Sequence, residues 1–253
     1  MTRIRCNTWV YYADKFFLGF SMRLDKYLSQ ATGFSRKEVK RMLHADEVQI
    51  NGEFERNPAR KIAENDEVLL EGYPVDAPRT RYLMLNKPLG YVCSNDDGSH
   101  PSVLGLIELP RADEMTIAGR LDVDTTGLVL ISSDGQWCHR ITSPRHKLGK
   151  IYEASLAEPI DESYIERFER GILLNGEKEL TKPAKLEILS ENSARVELYE
   201  GRYHQVKRMF AALGNRVETL HRESIGPIKL DEELYEGEWR ELDEAEVASI
   251  FNG

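Results

Sequence analysis

Cysteine is scarce in this 253-residue chain: Cys6, Cys93 and Cys138 are the only three, and they are scattered. Such spacing supports neither a disulfide framework nor a cysteine-based zinc site, and it suits a reducing cytoplasm. The six histidines form no ligand cluster either, which argues against a metallohydrolase. No Gly-x-Ser-x-Gly elbow occurs, so a Ser-His-Asp hydrolase would lack its strained nucleophile. Phosphate loops of the Gly-x-x-x-x-Gly-Lys and Gly-x-Gly-x-x-Gly types are absent as well. No apolar run approaches the length of a membrane-spanning helix, which leaves no membrane role.

What is present is ordinary globular material. With 41% hydrophobic and 30% charged residues, the chain can bury real cores, as one large domain or two smaller ones. The net charge of −9 would disfavour nucleic acid if it were spread evenly. It is not. From Lys229 onward nine acidic residues face two basic ones, whereas Gly135 to Tyr152 has no carboxylate and carries Arg140, Arg145, Lys147 and Lys150 with His139 and His146. A polyanion responds to such local fields and not to the total.

Residues 1–21 crowd Trp9, Tyr11, Tyr12, Phe16, Phe17 and Phe20 around Asp14 and Lys15. Without a clean apolar stretch or a small-residue cleavage site, this is a poor signal peptide. It reads as an upstream extension or over-long start, disordered or dispensable; the alternative is a partner-binding segment.

Residues 22–76 read as a first domain. Leu24, Tyr27, Leu28 and Ala31 follow helical spacing up to Gly33. Ser35 and Glu38 then have capping-box spacing, opening a helix that turns Val39, Met42 and Leu43 inward and Arg36, Lys37, Lys40 and Arg41 outward. Val48 to Ile50 alternates, Asn51-Gly52 is a hairpin turn, and Asp66 to Leu70 is a further strand. Four cations on one short helix suit RNA backbone contact, although most charge runs are solvated surface. The proline- and glycine-bearing stretch Gly72 to Pro78 has no periodicity and reads as semi-rigid, with residues 77–80 as linker.

Residues 81–253 read as a second domain of α+β class, with mixed, largely antiparallel strands and scattered helices. Strands are expected at 81–85, 128–132, 150–156, 185–189, 194–199, 217–220 and 228–230. Helices are expected after Asp134, from Asp161 to Gly171, from Val206 to Leu213, and from Asp243 to Phe251. One loop stands out: Gly119-Arg120-Leu121-Asp122-Val123-Asp124-Thr125-Thr126-Gly127 carries two carboxylates into a buried strand. On spacing alone it is equally a rigidly mounted catalytic loop or an Asp-rich turn capping its own amides. Tyr152 in the carboxylate-free run and the cationic helix start Arg202, His204, Lys207 and Arg208 complete the chemistry-bearing residues. An aspartate held by a cation, a ring for stacking and cations for a phosphate backbone would suit attack on a nucleotide lifted from an RNA stack.

Two resemblances sharpen this. Met22 to Leu28, Ser35-Arg36 and Val48 to Gly52 resemble the S4-type RNA-binding domain. Gly119 to Leu128 is similar to the signature of RNA pseudouridine synthases, with Asn86 to Tyr91, Lys150-Ile151-Tyr152 and Glu200 to Phe210 resembling that family's other motifs in order. An S4-like domain ahead of them points to the branch called RsuA, as do Asp134 to Trp137 and Ser143 to His146.

The resemblance implies a pseudouridine synthase domain in which Asp122 is catalytic, Tyr152 packs on the target base and Arg120 helps fill the space left by the extruded nucleotide. Lys207 would pair with Asp122, Arg208 being the neighbouring alternative, while Asp124 structures the loop. Contacts to RNA would come from Arg23, Lys26, Arg36, Lys37, Lys40, Arg41, Lys87, Arg145, Lys150, Arg202, His204, Gln205 and Arg208. The implied activity is isomerisation, without cofactor or metal, of a single uridine of 16S ribosomal RNA (U516), in the mature subunit or an assembly intermediate, by a cytoplasmic monomer. The alternatives are a 23S ribosomal RNA or transfer RNA substrate, or a non-catalytic S4-type assembly factor.

Overall fold

A computed structural model describes residues 22–94, 98–143, 146 and 148–251. The expectations for residues 1–21 and for Arg145 lie outside the described residues. Two compact units divide the chain, Met1–Pro78 and Arg79–Gly253.

In the first unit, β1 (Met22–Arg23) leads into α1 (Leu24–Thr32), which ends where Gly33 takes the left-handed conformation at φ 84°. Then α2 (Arg36–His44) opens on the Ser35–Glu38 capping box, both reciprocal bonds present. The strands β2 (Val48–Ile50) and β3 (Glu53–Phe54) form a hairpin across Asn51 (φ 54°) and Gly52 (φ 85°), the positive-φ pair that a type I′ turn demands. After them come β4 (Lys61–Ile62), paired with β1, then β5 (Val68–Leu70) and β6 (Tyr73–Pro74).

Leu24, Leu28, Val39, Leu43, Val48, Ile50, Ile62 and Val68 make this unit's core. Two expectations shift. Asp66 is a turn residue: its carboxylate accepts from the Ala63 N–H and from Asn51 Nδ2, so the strand starts only at Val68. Tyr73 and Pro74, expected in the aperiodic stretch, pair with β5 as an edge strand, a position where proline needs no donor.

The second unit is built on a nine-stranded sheet. Its elements are β7 (Tyr82–Lys87), β8 (Thr116–Ala118), β9 (Thr126–Ser132), α3 (Gly135–Thr142), β10 (Lys150–Leu156), α4 (Ser163–Arg170), β11 (Lys185–Ser190), β12 (Ser193–Leu198), α5 (Gln205–Ala212), β13 (Val217–Ile225), β14 (Ile228–Lys229), β15 (Trp239–Glu241) and α6 (Glu244–Ser249). The order is β11-β12-β10-β13-β9-β7-β15, with β14 on β13 and β8 on β9. Every pairing is antiparallel except β13 with β9, as the mixed α+β reading expects.

The central strands are buried on both faces, which is why β7 and β9 read as continuous apolar runs. Leu83, Leu85, Val129 and Ile131 join one core, while Met84, Leu128 and Leu130 join another beneath Trp137, Cys138 and Ile141 of α3. A third core packs Phe168 of α4 and Val206, Met209 and Phe210 of α5 against β10 to β13. Tyr152 touches two of these cores, at the seam between the halves of the sheet.

The largest departure from the sequence expectation is β13, which runs on through His221, Arg222, Glu223 and Ser224 to Ile225. That polar run carries no alternation signal. Its charged groups find partners distant in sequence, Arg222 in carbonyls around residues 119–128 and Glu223 in Arg195, while the buried Ser224 hydroxyl has no hydrogen-bond partner among the described residues.

Candidate active site

The loop between β8 and β9 hangs from both strands and is pinned at nearly every carbonyl. Thr125 N–H donates to the Asp122 carbonyl at 3.1 Å, closing a turn, and Gly90 N–H donates to the Val123 carbonyl at 2.9 Å. Lys87 Nζ donates to the carbonyls of Thr125 (2.7 Å), Pro88 (2.9 Å) and Val123 (3.4 Å). The buried Cys93 sulfur accepts from the Leu121 N–H at 3.3 Å, and burial pushes that thiol's pKa up, so it stays neutral.

From the other side comes Arg222, 1% exposed. Its guanidinium donates to the carbonyls of Leu128 (2.8 Å), Gly119 (3.0 Å) and Arg120 (3.3 Å). An arginine cannot shed its charge, so these carbonyl dipoles are what compensate its burial. The close passage of β9 against β13 also explains Gly127: at φ 102° a Cβ there would lie 2.4 Å from the Arg222 carbonyl oxygen.

On this rigid turn Asp122 is half-buried and held from two directions. Lys207 Nζ lies 3.3 Å from Oδ2, and His204 Nε2 lies 3.4 Å from Oδ1. Both come from the start of α5, whose inward face is locked into the core by Val206, Met209 and Phe210. Lys207 also reaches Asp124 Oδ1 at 2.5 Å, so it bridges the two carboxylates. Asp124 points outward, its side chain 66% exposed. Desolvation opposes its ionisation, but the hydrogen bond and charge of Lys207 outweigh this and hold its pKa below the usual carboxylate range. Only Asp122 has the imidazole as well.

Of the two cations left open by the sequence, Lys207 is the one that reaches Asp122. Arg208 donates instead to Glu177 and to the carbonyls of Tyr203 and Asn175. Tyr152 makes no direct polar contact with Asp122; its ring centroid lies 6.0 Å from the guanidinium carbon of Arg222, which holds the Gly119 and Arg120 carbonyls at the start of the loop. Arg120 is exposed and lines a pocket of about 610 Å³ with Cys93, Ser94, Glu114 and Met115.

Several expected RNA contacts are otherwise engaged. Lys87 is fully buried and spends its ammonium on loop carbonyls, so the expectation that it contacts phosphate is corrected: the buried strand β7 extends to include it. Gln205 is buried and caps the turn before α5, accepting from Arg202 N–H and donating to Glu200. Arg202 is tied to Glu177 and to the carbonyls of Glu179 and Leu180. Lys150 is largely desolvated beside Arg222, and its pKa falls to about 8. In the first unit Arg23 forms a two-pronged pair with the buried Asp25, whereas Lys26, Arg36, Lys37, Lys40 and Arg41 are exposed.

Arg222 is the residue that sequence reasoning missed; its only signal was an arginine inside an otherwise strand-forming stretch. Among the described residues, no three His, Cys, Asp or Glu side chains are grouped to hold a metal. The chemistry on offer is that of an ionisable carboxylate on a fixed loop, flanked by an ammonium and an imidazole.

Comparison with known proteins gives a coherent picture. Residues 81–212 match the sequence profile of the RNA pseudouridylate synthase family, and residues 22–68 match that of the S4 domain. The chain is 50% identical over 233 residues to the ribosomal small subunit pseudouridine synthase A of Vibrio parahaemolyticus, covering 91% of this chain and 100% of that protein. The protein of the same name in Escherichia coli K12 is 50% identical over 230 residues, 90% of this chain and 100% of its own length. A crystal structure of a pseudouridylate synthase, 48% identical, superimposes with a TM-score of 0.66 over 91% of this chain and 100% of that one.

Proposed function

The chain thus belongs to the RNA pseudouridylate synthase family and is an RNA pseudouridine synthase, and we propose that it isomerises one uridine of small-subunit ribosomal RNA with Asp122 as the reacting carboxylate. The observation that carries this reading is the convergence of Lys207 and His204 on Asp122, the less exposed of the two loop carboxylates. The substrate assignment follows the relatives, which are named for the ribosomal small subunit and match along their whole length.

In the proposed reaction the target uridine leaves its stack and enters the space beside Asp122. The bond from the ribose to N1 breaks, the base turns, and a bond from the ribose to C5 replaces it. The proton on C5 is lost and N1 gains one, so the product is an isomer and no oxidant or reductant is consumed. Lys207, 3.3 Å from Oδ2, sets its positive charge beside the reacting carboxylate of Asp122. Tyr152 packs against the base, and the guanidinium of Arg222 beneath its ring steadies both ring and loop. Arg120, exposed at the loop's edge, occupies the gap left by the extruded nucleotide. Lys26, Arg36, Lys37, Lys40 and Arg41 of the S4 domain hold the RNA backbone. The site of modification is U516 of 16S ribosomal RNA, reached in the cytoplasm on the subunit or its precursor.

Two measurements test this. Asp122→Asn should fold normally and release no tritium from 5-tritiated uridine in ribosomal RNA; full release would overturn Asp122 as the reacting group. Carbodiimide primer extension on both ribosomal RNAs of a strain lacking the protein should show one uridine of 16S RNA unmodified. A missing modification in 23S RNA instead would reassign the substrate.

A further inference from the structure

Tyr203 is 75% exposed, yet it is not loosely held. Its ring stacks on that of His204, centroids 3.7 Å apart and planes 21° from parallel. Side chains of neighbouring residues ordinarily diverge; here His204 adopts the left-handed conformation at φ 48°, which a non-glycine residue enters only when its surroundings enforce it. Those surroundings are visible. Arg208 donates to the Tyr203 carbonyl at 3.1 Å and Arg202 N–H donates to Gln205 Oε1 at 2.8 Å, fixing the backbone on both sides of the two rings. The lower ring is the imidazole that reaches Asp122. A large aromatic surface is therefore presented to solvent, rigidly, one ring away from the reacting carboxylate.

A groove of about 740 Å³ starts at the same place. His204 and Lys207 line its head, and it continues past Arg208 to Asn215 and Arg216. Its cations are Lys207, paired with Asp122 and Asp124, Arg208, paired with Glu177, and Arg216, paired with Glu218, so a phosphate in the groove would compete with those carboxylates for them. Aromatic platform and cationic track together are the two components by which single-stranded nucleic acid is held.

Base extrusion creates the need for such a platform. When a nucleotide leaves its stack, each neighbouring base loses a partner on one face, and an aromatic ring can replace it. We propose that the Tyr203–His204 stack is a binding subsite for the nucleobase next to the target uridine, and that this flank of the substrate strand runs along the groove toward Arg216. The assignment rests on the reading that RNA is the substrate and Asp122 the reacting group.

The test uses the full chain carrying Asp122→Asn, so that no turnover occurs, and a labelled small-subunit RNA fragment containing the target. Tyr203, Tyr203→Phe and Tyr203→Ala forms are titrated with the intact RNA and with RNAs abasic at either neighbour of the target. Expected is roughly tenfold weaker binding for Tyr203→Ala, unchanged binding for Tyr203→Phe, and one abasic position whose penalty disappears in Tyr203→Ala. Equal affinity of the Tyr and Ala forms, or abasic penalties that persist in both at both positions, would overturn the subsite. In the chain with Asp122 intact, Tyr203→Ala should raise KM and leave kcat nearly unchanged; a fall in kcat at constant KM would mean that Tyr203 merely positions His204, which also overturns it. Failure of the underlying reading shows separately, as wild-type protein that forms no pseudouridine in ribosomal RNA.

Discussion

Arg222 and Tyr152 face each other across the β13–β10 pairing, the guanidinium carbon 6.0 Å from the ring centroid. The same guanidinium holds the carbonyls of Gly119, Arg120 and Leu128, so one buried cation ties the ring, the start of the loop and its exit strand together. Removing it takes a donor from the buried Leu128 carbonyl and from the part-buried carbonyls of Gly119 and Arg120, at about 1–3 kcal/mol for each that is left buried and unsatisfied. Arg222→Met should therefore lose at least about 2 kcal/mol in urea unfolding. Arg222→Lys, which supplies a point charge but no fork, should recover part of the stability and little of the kcat. Wild-type stability in Arg222→Met would show that the loop does not depend on it.

The bridging position of Lys207 sets up a second comparison. Asp124 takes the shorter contact and Asp122 the longer, yet only Asp122 also meets His204. Asp124→Asn should cost less than about tenfold in kcat, since Lys207 then serves Asp122 alone, whereas Lys207→Met should cost on the order of a hundredfold, as lost charge stabilisation does at other sites. Tritium release at saturating RNA measures both. Loss of activity in Asp124→Asn as complete as in Asp122→Asn would require the two carboxylate roles to be exchanged. The lowered pKa of Asp124 means that its pairing stabilises the fold above the ordinary carboxylate pKa and fades as the pH falls through the lowered value.

Features written in adjacent residues were legible before the fold was known. The Ser35–Glu38 capping box, the Asn51-Gly52 hairpin and the Asp134 cap each depend on groups within three residues of one another, and all three form. The loop carrying Asp122 and the helix start carrying Lys207 were legible as motifs, although 85 positions separate the two residues. Arg222 was not, because its partners lie 94 to 103 positions away and an arginine within a strand does not by itself say what it binds. Lys87 was misread for a related reason: a lysine before proline looks like a surface turn, and only the sheet shows that Val123 and Thr125 bring their carbonyls to it. His204 was read for its charge, while its place against Asp122 follows from a left-handed backbone that no propensity foretells.

Lys150 supplies a prediction in pH. Burial, with the like charge of Arg222 added, lowers its pKa from 10.5 to about 8. The unfolded chain thus binds the proton more tightly than the folded one. Charged Lys150 opposes folding in full below pH 8, and the penalty is relieved as the pH rises from 8 toward 10.5. Measured against Lys150→Met, wild-type stability should improve by about 1–3 kcal/mol between pH 7 and pH 10. A constant difference across that range would mean that Lys150 titrates normally. A phosphate brought against Lys150 would favour its charged form, so RNA binding near pH 9 should take up a proton, visible as buffer-dependent heat in calorimetry.

The exposed cations of α2 allow the S4 domain to be tested apart from the chemistry. Arg36, Lys37, Lys40 and Arg41 all face solvent, and among the described residues Glu38, 3.9 Å from Arg41, is the one carboxylate in an ion pair with any of them. If two of these residues neutralise phosphates of the substrate, replacing them with Gln releases two fewer counterions on binding. The slope of log affinity against log salt should then become shallower by roughly 1.4 to 1.8. Affinity at low salt should fall, while kcat at saturating RNA should stay unchanged, because these residues lie outside the reacting loop. An unaltered salt slope would return the cluster to ordinary solvated surface.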